Sequence, residues 1–266
     1  MRKMFVLFLA ASFCGALWSA ETTLEIKSKE DLAGAAKNLR NIPDGVAFTI
    51  GSGHFQAVSR KKVAVDLKKK YLFTFEYRLA PGSKEGCGFY VAPIVYDSKG
   101  RVISCESQRI IPGSDSVLIA PAKKGDRVIK VKDCSKWVLQ YGAVAFNTKA
   151  DLSDLPNMET CRIAAIKQVK EGWEVSLKTA GPAAYAAGVA VRNHRDGAGH
   201  RYVAGYIRPK SEWQKCSKII QGALREGLPK ALSTWRTGTA SAGVILFPGL
   251  GKADVEVRNI AISEVK

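Results

Sequence analysis

The chain has 266 residues, 46% of them apolar and 24% charged, with 41 Lys and Arg against 24 Asp and Glu. These proportions exclude a disordered, collagenous or multi-span membrane chain. The net charge of +17 favours an anionic partner, whether nucleic acid, acidic polysaccharide or an anionic membrane surface, and composition does not choose among them.

The first twenty residues read as a secretory signal peptide (Arg2 and Lys3, an apolar run from Met4 to Leu17, then Ser19 and Ala20). The run is shorter than the roughly 20 apolar residues of a membrane span. Cleavage is placed after Ala20, with Ala16 as the alternative, and Phe13 before Cys14 is too bulky for a lipoprotein motif. Taking away twenty residues and the charges of Arg2 and Lys3 leaves 246 residues and +15. Export makes acidic glycans and envelope surfaces the expected anions, and nucleic acid and a membrane span are not expected. Five cysteines remain (Cys87, Cys105, Cys134, Cys161 and Cys216), without a C-x-x-C pair, so a zinc site is not expected.

Along the chain, 28–39 (SKEDLAGAAKNL) has the capping pattern of one short helix, with Ser28 as N-cap. Period-2 alternation dominates from there. It starts at 47–50, continues at 63–65, and is clearest at 71–78 (YLFTFEYR), where Tyr71, Phe73, Phe75 and Tyr77 share one face. Residues 89–96 and 101–104 read as a hairpin around the turn 97–100. Further strands are expected at 128–131, 173–177, 188–192, 202–207, 243–247 and 255–262, while 215–224 is ambiguous. The spacing predicts an all-β fold, a sandwich or barrel. Residues 116–194 have a rhythm of their own, two strand–turn–strand units around the polar FNTKADLSDLPN, and are read as a small β subdomain inserted between 21–115 and 195–266. The simpler alternative is further sandwich strands joined by a long loop.

Three stretches resemble the carbohydrate-binding, galactose-binding-like jelly rolls attached to cellulases and xylanases. They are 61–78 (KKVAVDLKKKYLFTFEYR), 88–104 (GFYVAPIVYDSKGRVIS) and 234–265 (TWRTGTASAGVILFPGLGKADVEVRNIAISEV), and the likeness covers roughly residues 40–112 and 200–266. The resemblance implies an antiparallel jelly-roll β-sandwich and non-catalytic sugar binding. In that family an Asp of the last strand often helps hold a structural calcium. Here Arg258 stands at the matching position, and Asp254 and Glu256 are out of register. No cofactor is therefore expected, with structural calcium as the alternative. The inserted segment resembles short β modules of extracellular and phage-tail adhesins, which leaves a protein partner for it as an expectation.

Sugar sites use aromatic rings that stack on pyranoses and polar groups that fix hydroxyls. Trp213, in the polar context KSEWQK, is the first candidate for an exposed ring, and Trp235, between Thr234 and Arg236, the second. The densest polar cluster, 192–202, offers Arg192, His194, Arg195, His200, Arg201 and Tyr202 around an Asp-Gly-Ala-Gly turn. Read as a hairpin tip, it could grip a carboxylated or sulfated sugar through arginine forks. The plain alternative for each residue is core packing or ordinary surface charge. His194 and His200 lack metal-pair spacing. No local pattern singles out a carboxylate pair, a nucleophile elbow or a P-loop. The expectation is a secreted or cell-surface protein that binds an anionic polysaccharide without catalysis. One alternative is a lyase on uronate polymers, using His200, Tyr202, Tyr206, Arg192 and Arg201. Another is an envelope or adhesion scaffold.

Overall fold

A computed structural model describes residues 22–34, 36–51, 53–196, 206–224 and 233–265. The leader (1–20) and the candidates His200, Arg201 and Tyr202 lie outside the described residues. The chain is all-β. Its first strands are β1 (Thr23–Ile26), β2 (Leu32–Ala33), β3 (Leu39–Ile42), β4 (Gly45–Ile50), β5 (Ala57–Ser59), β6 (Val63–Ala64), β7 (Lys70–Leu79) and β8 (Phe89–Tyr96). Then follow β9 (Ile110–Val117), β10 (Val128–Val131), β11 (Gly142–Phe146), β12 (Thr160–Gln168), β13 (Trp173–Leu177) and β14 (Ala190–Arg195). The last are β15 (Gln214–Gln221), β16 (Ala223–Leu224), β17 (Trp235–Arg236), β18 (Ser241–Pro248) and β19 (Ala253–Val265).

Two of the antiparallel sheets sandwich the larger core. One runs β15-β7-β19-β4-β3, with β1 also on β19; the other runs β2-β5-β18-β6, with β8 on the far side of β18. The alternation in β7 does what it should. Tyr71, Phe73 and Phe75 are buried, and Tyr77 meets Phe89 of the opposing sheet with ring centroids 5.7 Å apart. Phe48 of β4 meets Phe89 in the same way at 5.8 Å. In contrast, β8 and β18 are buried on both faces, so they read as continuous apolar runs rather than alternating ones. Their outward residues Ala92, Ile94, Tyr96, Ile245 and Phe247 form a separate buried cluster.

The remaining large sheet, β10-β13-β12-β11-β14-β9, is drawn wholly from between Ile110 and Arg195. Its ends meet: Leu118 bridges Val131, Ile119 N–H donates to Lys130 O at 3.0 Å, and Lys132 N–H donates to Val117 O at 2.9 Å. The sheet therefore closes into a six-stranded barrel. Its core includes Leu118, Val131, Trp137, Val144, Phe146, Ile163, Val175 and Val191. Phe146 stacks on Tyr185 at 4.1 Å.

The helix expected at 28–39 does not form. Two single 3-10 turns, Lys29–Asp31 and Ala36–Asn38, flank the short β2. Asp31 turns its carboxylate back to the Ser28 N–H at 3.0 Å, as the capping pattern suggested. Gly34 then takes φ +86, and Leu32 is drawn into the core, so the helix cannot propagate. The ambiguous 215–224 segment is β15 on the edge of the first sheet. The 101–104 strand reduces to a single bridge between Val102 and Tyr96.

Candidate functional site

The candidates on β14 are not at an exposed tip. This strand is hydrogen-bonded on both sides, to β9 and β11, and is covered on both faces. One face, with Val191 and Asn193, looks into the barrel. The other, with Arg192 and His194, meets the 105–109 segment and the 147–159 loop. Arg192 is 1% exposed, and two of its three guanidinium nitrogens are hydrogen-bonded. Nε donates to Asp115 Oδ1 at 2.7 Å, Nη2 donates to Lys149 O at 2.6 Å, and Nη1 lies 3.7 Å from Asp154 Oδ1. His194 is completely buried. Its Nδ1 faces the Glu106 carbonyl at 2.7 Å. A carbonyl only accepts, so Nδ1 carries the proton and donates. Nε2 is then a bare lone pair, without a hydrogen-bond partner. Burial first, and the charge of Arg192 further, hold this imidazole down at about 4, so it is neutral near pH 7. Arg192 and His194 therefore lock the barrel wall rather than face a ligand.

Trp235 is also not a surface ring. It is 1% exposed and packs edge-on against Tyr71 at 5.5 Å, inside the sandwich core. Its polar neighbours in sequence misled the reading because Arg236 is itself buried and donates to Ile103 O.

Trp213 is placed differently. It lies just before β15, opposite Arg78 if the pairing of Gln214 with Tyr77 is extended by one residue. The indole is half-buried and reaches across two arginines, with Arg258 Cζ 3.9 Å and Arg78 Cζ 4.6 Å from the ring centroid. Each arginine is tied across β7 and β19 to a glutamate: Arg78 to Glu256 at 2.7 Å and Arg258 to Glu76 at 2.9 Å. The four residues form a charge-balanced lattice that fixes both guanidinium planes beneath an aromatic ring. This lattice was missed in the sequence, yet its signal is there. The runs 75–78 (FEYR) and 255–258 (VEVR) each hold Glu-x-Arg at strand spacing, and antiparallel pairing sets Glu76 against Arg258 and Glu256 against Arg78.

Arg195 ends β14, half-buried, paired in register with Gly142. Tyr206, the remaining candidate for the lyase reading, hydrogen-bonds the Leu250 backbone and packs edge-on against Tyr90 at 5.3 Å. The sequence candidates are thus dispersed. Trp213 lies on the open sheet of the sandwich, Trp235 in its core, and Arg192 and His194 inside the barrel wall.

The carboxylates of one cleft are committed to structure. In the cleft of about 260 Å³ lined by Lys99, Arg101, Asn147, Asp154 and Glu159, Glu159 accepts from Asn147 at 2.8 Å and Tyr185 at 3.1 Å. Asp154 accepts from the Lys149 N–H at 3.0 Å and from Asn157 at 3.0 Å. Among the described residues no His, Cys, Asp and Glu cluster of metal-binding type occurs. No helix among them is long and apolar enough to cross a membrane. A scan against protein-family models finds no match, and a search of curated proteins finds none.

Proposed function

We propose that the protein is an exported, non-catalytic glycan-binding protein, and that Trp213 is the ring on which a sugar stacks. The observation that carries this reading is the half-buried indole laid over the Arg78 and Arg258 lattice of an otherwise polar sheet face. A ring held flat by its support loses little freedom when a pyranose settles on it. The leader-like first twenty residues and the jelly-roll-like stretches at 61–78, 88–104 and 234–265 support the same reading.

The preference for an anionic chain is supported from outside the lattice, because the lattice itself is neutral. Exposed lysines lie along β15 and next to it. Lys215 and Lys218 are exposed on this edge strand, and Gln221 at its end pairs with Lys70, which closes the run Lys68 to Lys70. From Trp213 to Gln221 is eight residues, or roughly 26 Å of strand. An acidic polysaccharide lying along this edge would meet the ring first and lysines after it.

The test is retention on immobilised polygalacturonate, alginate and a neutral β-glucan at low and high salt. Retention on an acidic polymer that weakens as salt rises is expected. Passage through all three columns at low salt would overturn the proposal.

A further inference from the structure

We infer that the rim of the barrel carries a second sugar-contacting site, with Tyr141 as its ring and Arg195 as its anion fork, for a carboxylated pyranose. This rests on the glycan-binding reading above and adds a site that does not involve Trp213.

One residue of this rim is not explained by its surroundings. Leu139 to Gly142 form a turn closed by the Gly142 N–H donating to Leu139 O at 2.9 Å. Tyr141 sits in it at φ +59, the left-handed region where a side chain is unfavourable and glycine is the ordinary choice. The glycine next door does not relieve this. A Cβ on Gly142 would lie 2.1 Å from Val138 O, so that glycine is required by close approach. A tyrosine therefore occupies the strained position. It is not held there by packing. At 63% exposure it is the only aromatic residue among those described whose side chain stands mainly in solvent. Its hydroxyl makes no hydrogen bond within the described residues. Local conformation disfavours it and the core does not use it, which leaves contact with something outside the fold.

The neighbouring groups say what that is. Arg195 is the register partner of Gly142, and the Asp196 N–H donates to Tyr141 O at 2.7 Å, so ring and guanidinium spring from adjacent backbone. Of the other arginines here, Arg192 is committed to Asp115 and Asp154 and Arg162 to Glu106 and Asp196, while Arg109, whose backbone O accepts the Arg195 N–H at 2.8 Å, is half-buried. Arg195 has no ion pair among the described residues. Leu139, 47% exposed, adds an apolar shoulder, and Lys136 a second exposed cation. A solvent-facing phenol for the apolar face of a pyranose beside an uncommitted fork for a carboxylate is the pairing that a uronate residue requires.

Strain and binding here pull in opposite directions, and this gives the test. Tyr141→Gly removes the side chain and the backbone strain together. It is expected to keep or raise the thermal midpoint while lowering affinity for polygalacturonate at least fivefold. Arg195→Gln is expected to lower affinity for polygalacturonate by a similar factor and to leave any binding of a neutral β-glucan unchanged. If Tyr141→Gly binds polygalacturonate as the parent does while Trp213→Ala has lost binding, this second site is overturned and the Trp213 reading stands. If Tyr141→Gly lowers the thermal midpoint, the tyrosine is a packing residue and the inference fails. If the parent protein binds the neutral β-glucan alone, this second site is overturned and the glycan-binding reading stands; if it binds none of polygalacturonate, alginate and the neutral β-glucan, both readings fall together.

Discussion

His194 makes the stability of this protein depend on pH in a way that one substitution isolates. The imidazole is wholly buried, donates from Nδ1 to Glu106 O at 2.7 Å, and has no partner at Nε2. Its value in the fold is about 4, against an ordinary 6.5. The sign follows from which state takes the proton. As pH falls through 6.5 the unfolded chain binds a proton at this histidine, and the folded chain does not until about 4. Stability is therefore lost across that window, by about 2 kcal/mol at pH 5 and roughly 3 kcal/mol at pH 4. His194→Asn keeps an N–H near the place of Nδ1 and does not titrate. The variant is expected to be less stable than the parent at pH 7, because ring packing is lost. The gap should then shrink by about 2 kcal/mol at pH 5. Urea unfolding followed by tryptophan fluorescence at the two pH values measures it. The carboxylates nearby, Asp115 and Asp154, are present in both proteins, so what they contribute largely cancels in the difference. A gap that does not change with pH would refute the buried neutral histidine.

Three further outcomes follow from the packing. Trp235→Ala empties the core position against Tyr71 and is expected to cost about 3–5 kcal/mol in urea unfolding, whereas Trp213→Ala, which removes a half-buried ring from the sheet surface, should cost about 1 kcal/mol. Arg192→Met leaves the buried carboxylate of Asp154 without its cation and is expected to destabilise the protein by about 3 kcal/mol, read from the same urea curves; a neutral result would mean that the pair is solvated. All five described cysteines are unpaired and buried, and burial pushes the Cys134 thiol up to about 12. Ellman's reagent should therefore find five thiols in denaturant on a chain beginning at Glu21 and almost none on the native protein within minutes. Rapid native reaction would show that one of these thiols is open to solvent.

How much of this was legible in the sequence depends on what each strand faces. β7 announced itself because one face is core and the other polar, so Tyr71, Phe73 and Phe75 alternate with Leu72, Thr74 and Glu76. β10 and β13 matched their expected bounds for a similar reason: Ile129, Val131, Val175 and Leu177 are buried at every second position. β9 was hidden. Its sequence IIPGSDSV contains Pro112, Gly113 and polar residues that read as a turn, and its place in the barrel comes from pairing with β14. Polarity in the sequence does not guarantee exposure in this fold. Arg192, His194 and Arg236 are polar but buried, each anchored by carbonyls or carboxylates distant in sequence, such as Glu106, Asp115 and Ile103. Single-residue context cannot report those partners. The polar neighbours of Trp213 mark it as a partly exposed ring but do not reveal its support, because the lattice beneath it joins β7 and β19 across more than 170 positions.

The reading of Trp213 as a sugar-stacking platform is tested most directly by isothermal titration of the parent, Trp213→Ala and Trp213→Phe with polygalacturonate. Trp213→Ala is expected to bind at least tenfold more weakly, a difference of about 1.4 kcal/mol. Trp213→Phe should recover part of that loss, with all three proteins folded. Equal affinity for the parent and Trp213→Ala would contradict it.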